Sequence, residues 1–151
     1  MVPADREVWL RLRSELWSHH PAAELAREVD RYLGGEGFLE VDGRPVPSTV
    51  LLAEGDDARI LGFAEVNLRP FADGCRTGPV GYLEGWYVVP EARRRGVGAA
   101  LVAAAEEWAR NQGCAEFASD TRVENDLGER SHRALGFLEV RRTIHYRKSL
   151  R

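Results

Sequence analysis

The sequence is poor in cysteine, with only Cys75 and Cys114 among 151 residues. Their wide separation matches neither a zinc-ligand spacing nor a disulfide framework, so we expect reduced thiols and no metal site. No apolar run approaches the length of a membrane span. The N-terminus also lacks the basic-then-apolar pattern of a signal peptide. We therefore expect a cytoplasmic protein with no membrane association.

The chain also lacks an excess of basic residues, because its formal net charge is −3. A general nucleic-acid binder is usually strongly basic, so we expect no nucleic-acid partner. The composition is otherwise that of an ordinary globular protein, 44% hydrophobic and 30% charged. With neither repeats nor low-complexity tracts, residues 1–151 are predicted to form a single domain with a sizeable core.

Hydrophobic periodicity predicts an ordered series of elements: two helices, three strands, a helix, a strand, a helix and a final strand. The predicted helices cover residues 5–18, 22–34, 96–112 and 126–135, and the predicted strands cover 49–54, 60–68, 80–89, 114–119 and 138–147. Asp5 can cap the first helix, and Gly43, Pro45 and Pro47 mark a loop. Hairpins followed by crossover helices indicate an α/β fold with a mixed sheet.

Two glycine-containing segments refine this pattern. Gly55-Asp56-Asp57 separates two strand patterns and predicts a hairpin turn. Gly85 lies inside the predicted strand 80–89, where a glycine often marks a bulge or the close approach of another backbone. The middle of this strand is therefore expected to be irregular.

The most informative segment runs from Val88 to Leu101. An apolar strand ends at Pro90, three arginines follow, and Gly96 and Gly98 open an alanine-rich helical pattern. A helix start offers unpaired N–H donors and the positive end of the macrodipole, so it suits an anion. Three guanidinium groups favour a diphosphate over a carboxylate. The alternative to an anion site is a basic turn that is simply solvated. The glycine pattern fits neither a Rossmann nor a Walker loop.

This segment resembles the acyl-CoA signature of the GNAT superfamily of acetyl-CoA-dependent N-acetyltransferases, here Arg93-Arg94-Arg95-Gly96-Val97-Gly98. Asn125 and the segment 132–137 resemble a second motif of that family, and the element order agrees across nearly the whole chain. The family's first strand would precede Asp5, where it is short or missing. The resemblance implies a GNAT fold, with a mixed, mostly antiparallel sheet splayed at the cofactor strand and flanked by about four helices.

Four further pieces resemble aminoglycoside 6′-N-acetyltransferases, which inactivate antibiotics. They are Leu16-Trp17 with His20, Leu83-Glu84-Gly85, Ala118-Ser119-Asp120-Thr121 and Ile144-His145-Tyr146-Arg147-Lys148. The resemblance implies transfer of an acetyl group from acetyl-CoA to the 6′-amine of an aminoglycoside, by a homodimer. Other amine acceptors, a non-catalytic CoA-binding module and an RNA-binding domain stay open as alternatives.

The resemblance also assigns cofactor-binding residues. They lie on the strand, on the basic turn and before the last helix: Trp86, Tyr87, Val88, Arg93, Arg94, Arg95, Gly96, Val97, Gly98, Ala99 and Asn125. The pantetheine arm would pair with the strand through main-chain hydrogen bonds, and the N–H of Val88 would face the oxyanion. The strand side chains fit an ordinary core equally well, and Asn125 fits a helix N-cap.

Three residues are candidates for proton transfer. Glu84 or Asp120 can accept the proton of the attacking amine, and both carboxylates suit a polycationic substrate. The alternatives are a surface acid for Glu84 and a turn former for Asp120. His132 stands where many family members have a tyrosine, and an imidazolium there can protonate the leaving thiolate or simply contact the cofactor.

The remaining candidates line the acceptor pocket by resemblance. Trp17, His20 and Phe71 match positions that meet the sugar rings or close the pocket, since aromatic faces suit sugar C–H surfaces and ammonium groups. Trp17 fits core packing nearly as well. Phe71 replaces a tyrosine, and Arg141 replaces an acid, so both departures bear on the substrate range. The substrate-binding set is Trp17, His20, Phe71, Glu84, Asp120 and Arg141.

Overall fold

The computed structural model describes residues 3–36, 40–41 and 44–150. The chain divides into two compact units, Met1–Asp120 and Thr121–Arg151. In the first unit the helices are α1, Arg6–Leu16, α2, Ala22–Leu33, and α3, Val97–Asn111. Its strands are β1, Glu40–Val41, β2, Arg44–Pro45, β3, Ser48–Glu54, β4, Ile60–Arg69, β5, Val80–Val88, and β6, Phe117–Ser119. The second unit contains α4, Asp126–Ala134.

The first two helices form where the apolar stripes predict them. Trp9 and Leu12 of α1 and Leu25 and Val29 of α2 are buried, as the helical spacing requires. The prediction that Asp5 caps α1 is wrong. Asp5 has helical dihedral angles and makes no side-chain cap hydrogen bond, because residues 3–5 already form a 3₁₀ turn that leads into the helix.

The main sheet has the order β3-β4-β5-β6. The first two pairs are antiparallel and β5 pairs with β6 in parallel, which confirms the mixed, mostly antiparallel sheet. The parallel ladder joins only residues 81–83 to 117–119, so β5 continues past the end of β6. The predicted loop around Pro45 and Pro47 contains the short pair β1-β2, and Gly43 lies outside the described residues.

A bulge interrupts β5 where Gly85 predicted one. Glu65 of β4 pairs with Gly85, whereas the next residue, Val66, pairs with Leu83. Glu84 is therefore the extra residue, and its side chain is displaced from the regular alternation of the strand. Together with the short ladder to β6, the bulge opens the sheet in the middle of β5.

Hydrophobic packing covers both faces of the sheet. Phe63 of β4 lies in a core with Trp9 and Leu12 of α1 and Val29 of α2. On the opposite face α3 buries Leu101, Val102, Ala105 and Ala109. The close fit there is visible at Gly81, where an added Cβ would lie 2.5 Å from Cβ of Ala109. Both cores hold β5 firmly, so its bulge has a fixed position.

A buried polar cluster lies within the first core. Glu65, only 2% exposed, accepts a hydrogen bond of 2.8 Å from Nε1 of Trp9, and its Oε1 lies 2.9 Å from Nε of Arg13. Arg13 also pairs with Glu28 at 2.7 Å. Burial raises the pKa of Glu65 to about 8, and Arg13 only partly offsets this. Burial thus favours the neutral form of Glu65 in spite of its ion pair with Arg13.

The second unit departs from prediction at its end. Helix α4 is confirmed, with Gly136 in the left-handed region just beyond it. Residues 138–150 contain no strand, so the predicted final strand is wrong. Its apolar side chains are exposed instead: Leu138, Val140, Ile144, Tyr146 and Leu150. A strand requires a hydrogen-bonding neighbour, and the alternating pattern alone does not supply one.

Among the described residues, no helix has both the length and the apolar character needed to cross a membrane.

The protonated state of Glu65 gives a test of the core. An acid whose pKa is raised by folding contributes stability that is complete below its unfolded pKa, near 4.5, and is lost as the pH rises through about 8. We expect the Tm of the wild type to fall between about pH 5 and about pH 9, and Glu65→Gln to remove most of that fall. Thermal melts across this range measure the effect. Glu106→Gln, at an exposed ion pair, is the matched control; parallel curves for wild type and Glu65→Gln would contradict the assignment.

Candidate active site

The turn between β5 and α3 forms an anion cradle. Arg94 and Gly96 have φ angles of 59° and 85°, so two nearby residues take the left-handed conformation. Within the described part of the chain, no hydrogen bond is formed by the backbone N–H groups of residues 94–99. Such a turn at a helix N-terminus is an established way of binding phosphate oxygens. Unpaired N–H groups at a helix start can bind an anion or water, so the solvated-turn alternative stays open.

The three arginines of the turn are not equivalent. Nε of Arg93 donates to the carbonyl oxygen of Val88 at 2.9 Å, and its guanidinium lies 5.5 Å from the ring centroid of Tyr87. Arg93 therefore folds back onto the end of β5 and supports the turn. Arg94 and Arg95 are exposed, and they are the two guanidinium groups placed to reach an anion on the cradle.

The side chains of the predicted cofactor strand have structural contacts of their own. An added Cβ at Gly98 would lie 2.8 Å from Cζ2 of Trp86, so this indole packs directly against the start of α3. The hydroxyl of Tyr87 donates to Glu15 at 2.7 Å. These contacts support the alternative in which the strand contributes its backbone to a ligand and its side chains to packing.

The backbone of β5 turns the N–H of Val88 toward the open side of the sheet. The N–H of Val89 donates to the carbonyl of Leu61 at 2.9 Å, toward β4. Adjacent residues of a strand direct their N–H groups to opposite edges. The N–H of Val88 therefore points away from β4, on the side where the ladder to β6 has ended. This direction fits the predicted role in oxyanion binding.

Glu84 sits at the bulge and is held by a residue that the sequence analysis missed. Nε and Nη2 of Arg69 donate to Oε1 of Glu84 at 2.9 and 2.5 Å. The Glu84 side chain is 20% exposed and that of Arg69 is 34% exposed, so both are partly accessible to solvent. Glu84 is thus a positioned, ion-paired carboxylate, which argues against the reading as a solvated surface acid.

Asp120 interacts with the same cluster. Its neighbour Ser119 pairs with Leu83, so Asp120 follows at the level of Glu84, where the two strands separate. Tyr82 is a second residue that the sequence analysis missed. Burial, followed by the charge of the nearby Asp120, raises the pKa of Tyr82 to about 12, so the phenol stays protonated. The guanidinium of Arg69 stacks on the Tyr82 ring, 3.4 Å from its centroid.

The predicted acceptor-pocket residues of the first unit are placed unequally. Trp17 covers the bulge, because an added Cβ at Gly85 would lie 2.5 Å from its Cη2 atom. Its ring also packs near Phe63 and under Arg13, so the packing reading is correct as well. His20 follows α1 and is exposed. Phe71 is 77% exposed, and no described contact links it to the Glu84 cluster.

The predicted residues of the second unit are held by local contacts. Asn125 caps α4, accepting from the N–H of Gly128 at 2.9 Å, as the alternative reading expected. Nδ1 of His132 lies 2.7 Å from the carbonyl oxygen of Gly128, so Nδ1 carries a proton, and the ring packs edge-on against Phe137. Arg141 is exposed. The catalytic and binding roles of these residues stay predictions.

Arg69 and Tyr82 were missed although the sequence contained a signal for them. Polar residues alternate along the otherwise apolar β4 at Glu65, Asn67 and Arg69, which places them on one face of the sheet. Asn67 is 1% exposed, and neither atom of its amide group has a hydrogen-bond partner among the described residues. Alternating buried polar residues beside a bulge are typical of a functional face.

No group of three histidine, cysteine, aspartate or glutamate residues in the described ranges could hold a metal ion. Cys75 and Cys114 are free thiols. The residues described above bring together carboxylates, a phenol, guanidinium groups and backbone N–H donors.

Comparisons with known proteins agree with this arrangement. The model of the acetyltransferase (GNAT) family matches residues 9–137. An aminoglycoside N(6′)-acetyltransferase type 1 from Klebsiella aerogenes is 47% identical over 146 residues, which cover 97% of this chain and 91% of the relative. The protein of the same name from Stenotrophomonas maltophilia is 40% identical over 152 residues, covering 99% and 90%.

Solved structures give the same answer for the fold. AAC(6′)-Iy, in complex with the bisubstrate analogue CoA-S-monomethyl-acetylneamine, superposes with a TM-score of 0.84 at 37% identity, covering 99% of this chain and 95% of that one. Apo AAC(6′)-IG from Acinetobacter haemolyticus superposes with a TM-score of 0.85 at 34% identity, covering 100% and 97%. The family signature lies on a turn with unpaired N–H groups, next to a bulged strand. Together with the family match and the similar proteins, this shows that the chain belongs to the GNAT acetyltransferase family.

Proposed function

We propose that this protein transfers the acetyl group of acetyl-CoA to the 6′-amine of aminoglycoside antibiotics and so confers resistance to them. The observation that carries the proposal is the pair of carboxylates, Glu84 and Asp120, at the point where β5 bulges and leaves β6. An aminoglycoside carries several ammonium groups, so its site needs fixed negative charge. Relatives 47% and 40% identical over nearly the whole chain are aminoglycoside N(6′)-acetyltransferases.

The cradle at residues 93–99 fits the pyrophosphate of acetyl-CoA. Its unpaired N–H groups, together with Arg94 and Arg95, match the charge and geometry of phosphate oxygens. The open edge of β5 from Trp86 to Val88 is available for main-chain bonds to the pantetheine arm. Asn125 of the second unit is the remaining residue assigned to the cofactor.

The reaction is a direct attack on the thioester. The amine nitrogen, once deprotonated by Asp120 or Glu84, forms a bond to the acetyl carbonyl carbon. The N–H of Val88 stabilises the oxyanion that develops there. The carbon–sulfur bond then breaks, and the leaving thiolate takes up a proton, for which the family resemblance assigns His132 as the donor. No covalent enzyme intermediate is required.

By resemblance, aromatic and basic residues bind the acceptor. Trp17, packed over Gly85, offers a ring face to the sugar, and His20 follows it. Phe71 closes the pocket without a hydroxyl group. Arg141 brings a positive charge where an acid would attract the antibiotic, which narrows the range of aminoglycosides.

The active form is a homodimer in the cytoplasm. The exposed apolar side chains of residues 138–150 need a surface to cover them, and a second copy of the chain supplies it. Acetyl-CoA is available in the cytoplasm, and free thiols such as Cys75 and Cys114 persist there.

Thiol release in the presence of different amines tests the function. We expect kanamycin and tobramycin to drive CoA release from acetyl-CoA, and spermidine or a peptide N-terminus to give at most about a hundredth of that kcat/KM, since only the first group matches the fixed acidic site. Asp120→Asn and Glu84→Gln should each lower kcat/KM at least about tenfold without lowering the Tm. Faster thiol release with spermidine or a peptide than with the antibiotics would show that the proposed acceptor is wrong. Tight binding of acetyl-CoA without turnover of any amine would show that the protein is a binding module and not an enzyme.

Two glycines with the same backbone conformation test the cradle. Gly96 and Gly113 have φ angles of 85° and 84°, and neither would crowd an added Cβ. Alanine at either position costs about 1 kcal/mol because of the left-handed conformation. We expect both variants to lose similar thermal stability, but only Gly96→Ala to weaken CoA binding, by about tenfold, as measured by calorimetry. Equal CoA affinity for the two variants would contradict the cradle.

Molar mass in solution tests the dimer. Light scattering should give twice the chain mass of 16.9 kDa, and Ile144→Glu should shift the protein toward the monomer by placing a charge in an apolar interface. Ala103→Glu, on the exposed side of α3, adds the same charge and should leave the mass unchanged. A monomeric wild type, or a dimer that is indifferent to Ile144→Glu, would contradict the proposal.

A further inference from the structure

Arg69 occupies the centre of the acidic cluster. Its Nε and Nη2 atoms both donate to Oε1 of Glu84, and its guanidinium lies 3.4 Å from the ring centroid of Tyr82, a residue near Asp120. Arg69 thus contacts Glu84 directly, and the ring of Tyr82 lies between Arg69 and Asp120. Tyr82 itself is 7% exposed, so the platform under the guanidinium is rigid.

The charges in this cluster are unequally compensated. Arg69 carries one positive charge and is bonded to Glu84, whereas Asp120 is exposed and none of the described ion pairs includes it. A cationic acceptor thus meets one neutralised carboxylate and one uncompensated carboxylate. Glu65, the other acid on this face, is buried and held by Arg13 and Trp9.

We propose that Arg69 is a positioning residue that neutralises Glu84, so that Asp120 is the carboxylate that accepts the proton of the acceptor amine. The inference rests on the proposed function and deepens it by separating the two acids. Glu84 serves as a fixed hydrogen-bond acceptor that orients the amine. Asp120 lies one residue past the paired end of β6, where it can take the proton and release it to solvent.

The physical reason lies in the protonation state of the substrate. Two uncompensated carboxylates would bind the polycation more tightly, but they would also favour the ammonium form over the amine. Only the neutral amine has a lone pair for attack, so that extra binding would stabilise the ground state and not the transition state. Arg69 removes this excess negative charge while keeping Glu84 in place.

If Arg69 neutralises Glu84, removing its charge should change KM and kcat for the acceptor in different ways. With kanamycin as acceptor, we expect Arg69→Gln to lower KM about threefold and to lower kcat about tenfold or more, while KM for acetyl-CoA stays unchanged. Arg69→Lys keeps the charge and should restore KM and part of kcat. Arg110→Gln, which removes the same charge from an exposed pair on α3, is the matched control and should change neither constant.

A double variant isolates the link through Glu84. Glu84→Gln removes the charge that Arg69 compensates, so adding Arg69→Gln to it should lower kcat less than twofold further. Tyr82→Phe keeps the ring beneath the guanidinium but removes the hydroxyl group near Asp120. It should lower kcat about threefold or more without changing KM. Tyr82→Phe and Arg69→Lys do not contain the Arg69→Gln change, so they decide the question if Arg69→Gln fails to fold.

The outcomes separate the inference from the function that it rests on. If the wild type releases no thiol with any aminoglycoside, the proposed function fails; the same comparison is then made with whichever amine is turned over, and complete inactivity overturns both. If the wild type is active but Arg69→Gln raises KM or leaves kcat unchanged, the inference alone is overturned. Full additivity of the Arg69 and Glu84 variants would also overturn it, because Arg69 would then act independently of Glu84.

Discussion

The one-residue bulge in β5 is the constraint on which the rest of the site depends. It displaces Glu84 from the regular alternation and leaves Gly85 opposite Glu65. The absent side chain at Gly85 makes room for the indole of Trp17. Because β5 is packed on both faces, the bulge cannot slide along the strand. A single backbone irregularity therefore sets the position of the carboxylate and of the aromatic wall.

The acidic face combines charges that are handled in different ways. Glu65 is buried against Trp9 and Arg13, and its raised pKa makes it a hydrogen-bonding group of the core at neutral pH. Glu84 is paired with Arg69, and Asp120 is exposed beside the Tyr82 hydroxyl. Burial, pairing and exposure give three carboxylates on one face three different chemical characters. In the proposed function, the turn at Arg94 and Gly96 binds the acetyl donor, and the carboxylates on the sheet bind the acceptor.

Sequence patterns predicted most of the fold because helices, strands, caps and bulges depend largely on residues that are close together in the sequence. The order of helices and strands, the mixed sheet, the bulge near Gly85 and the Asn125 cap all follow from periodicity, glycine conformation or capping chemistry. Two predictions were wrong. Asp5 makes no cap hydrogen bond because residues 3–5 already form a 3₁₀ turn that leads into α1. A strand at residues 138–147 needs a hydrogen-bonding neighbour, which an alternating pattern does not supply.

The sequence by itself determined the family, the anion cradle and the candidate carboxylates, because these depend on residue types at short, fixed spacings. Tertiary structure alone decided how the carboxylates differ. The pairing of Arg69 with Glu84, the stacking of that guanidinium on Tyr82 and the burial of Glu65 join residues from separate strands. These residues are far apart in the sequence, so their contacts cannot be predicted from local patterns. Strand register brings them within bonding distance, and burial and ion pairing determine the charge of each carboxylate.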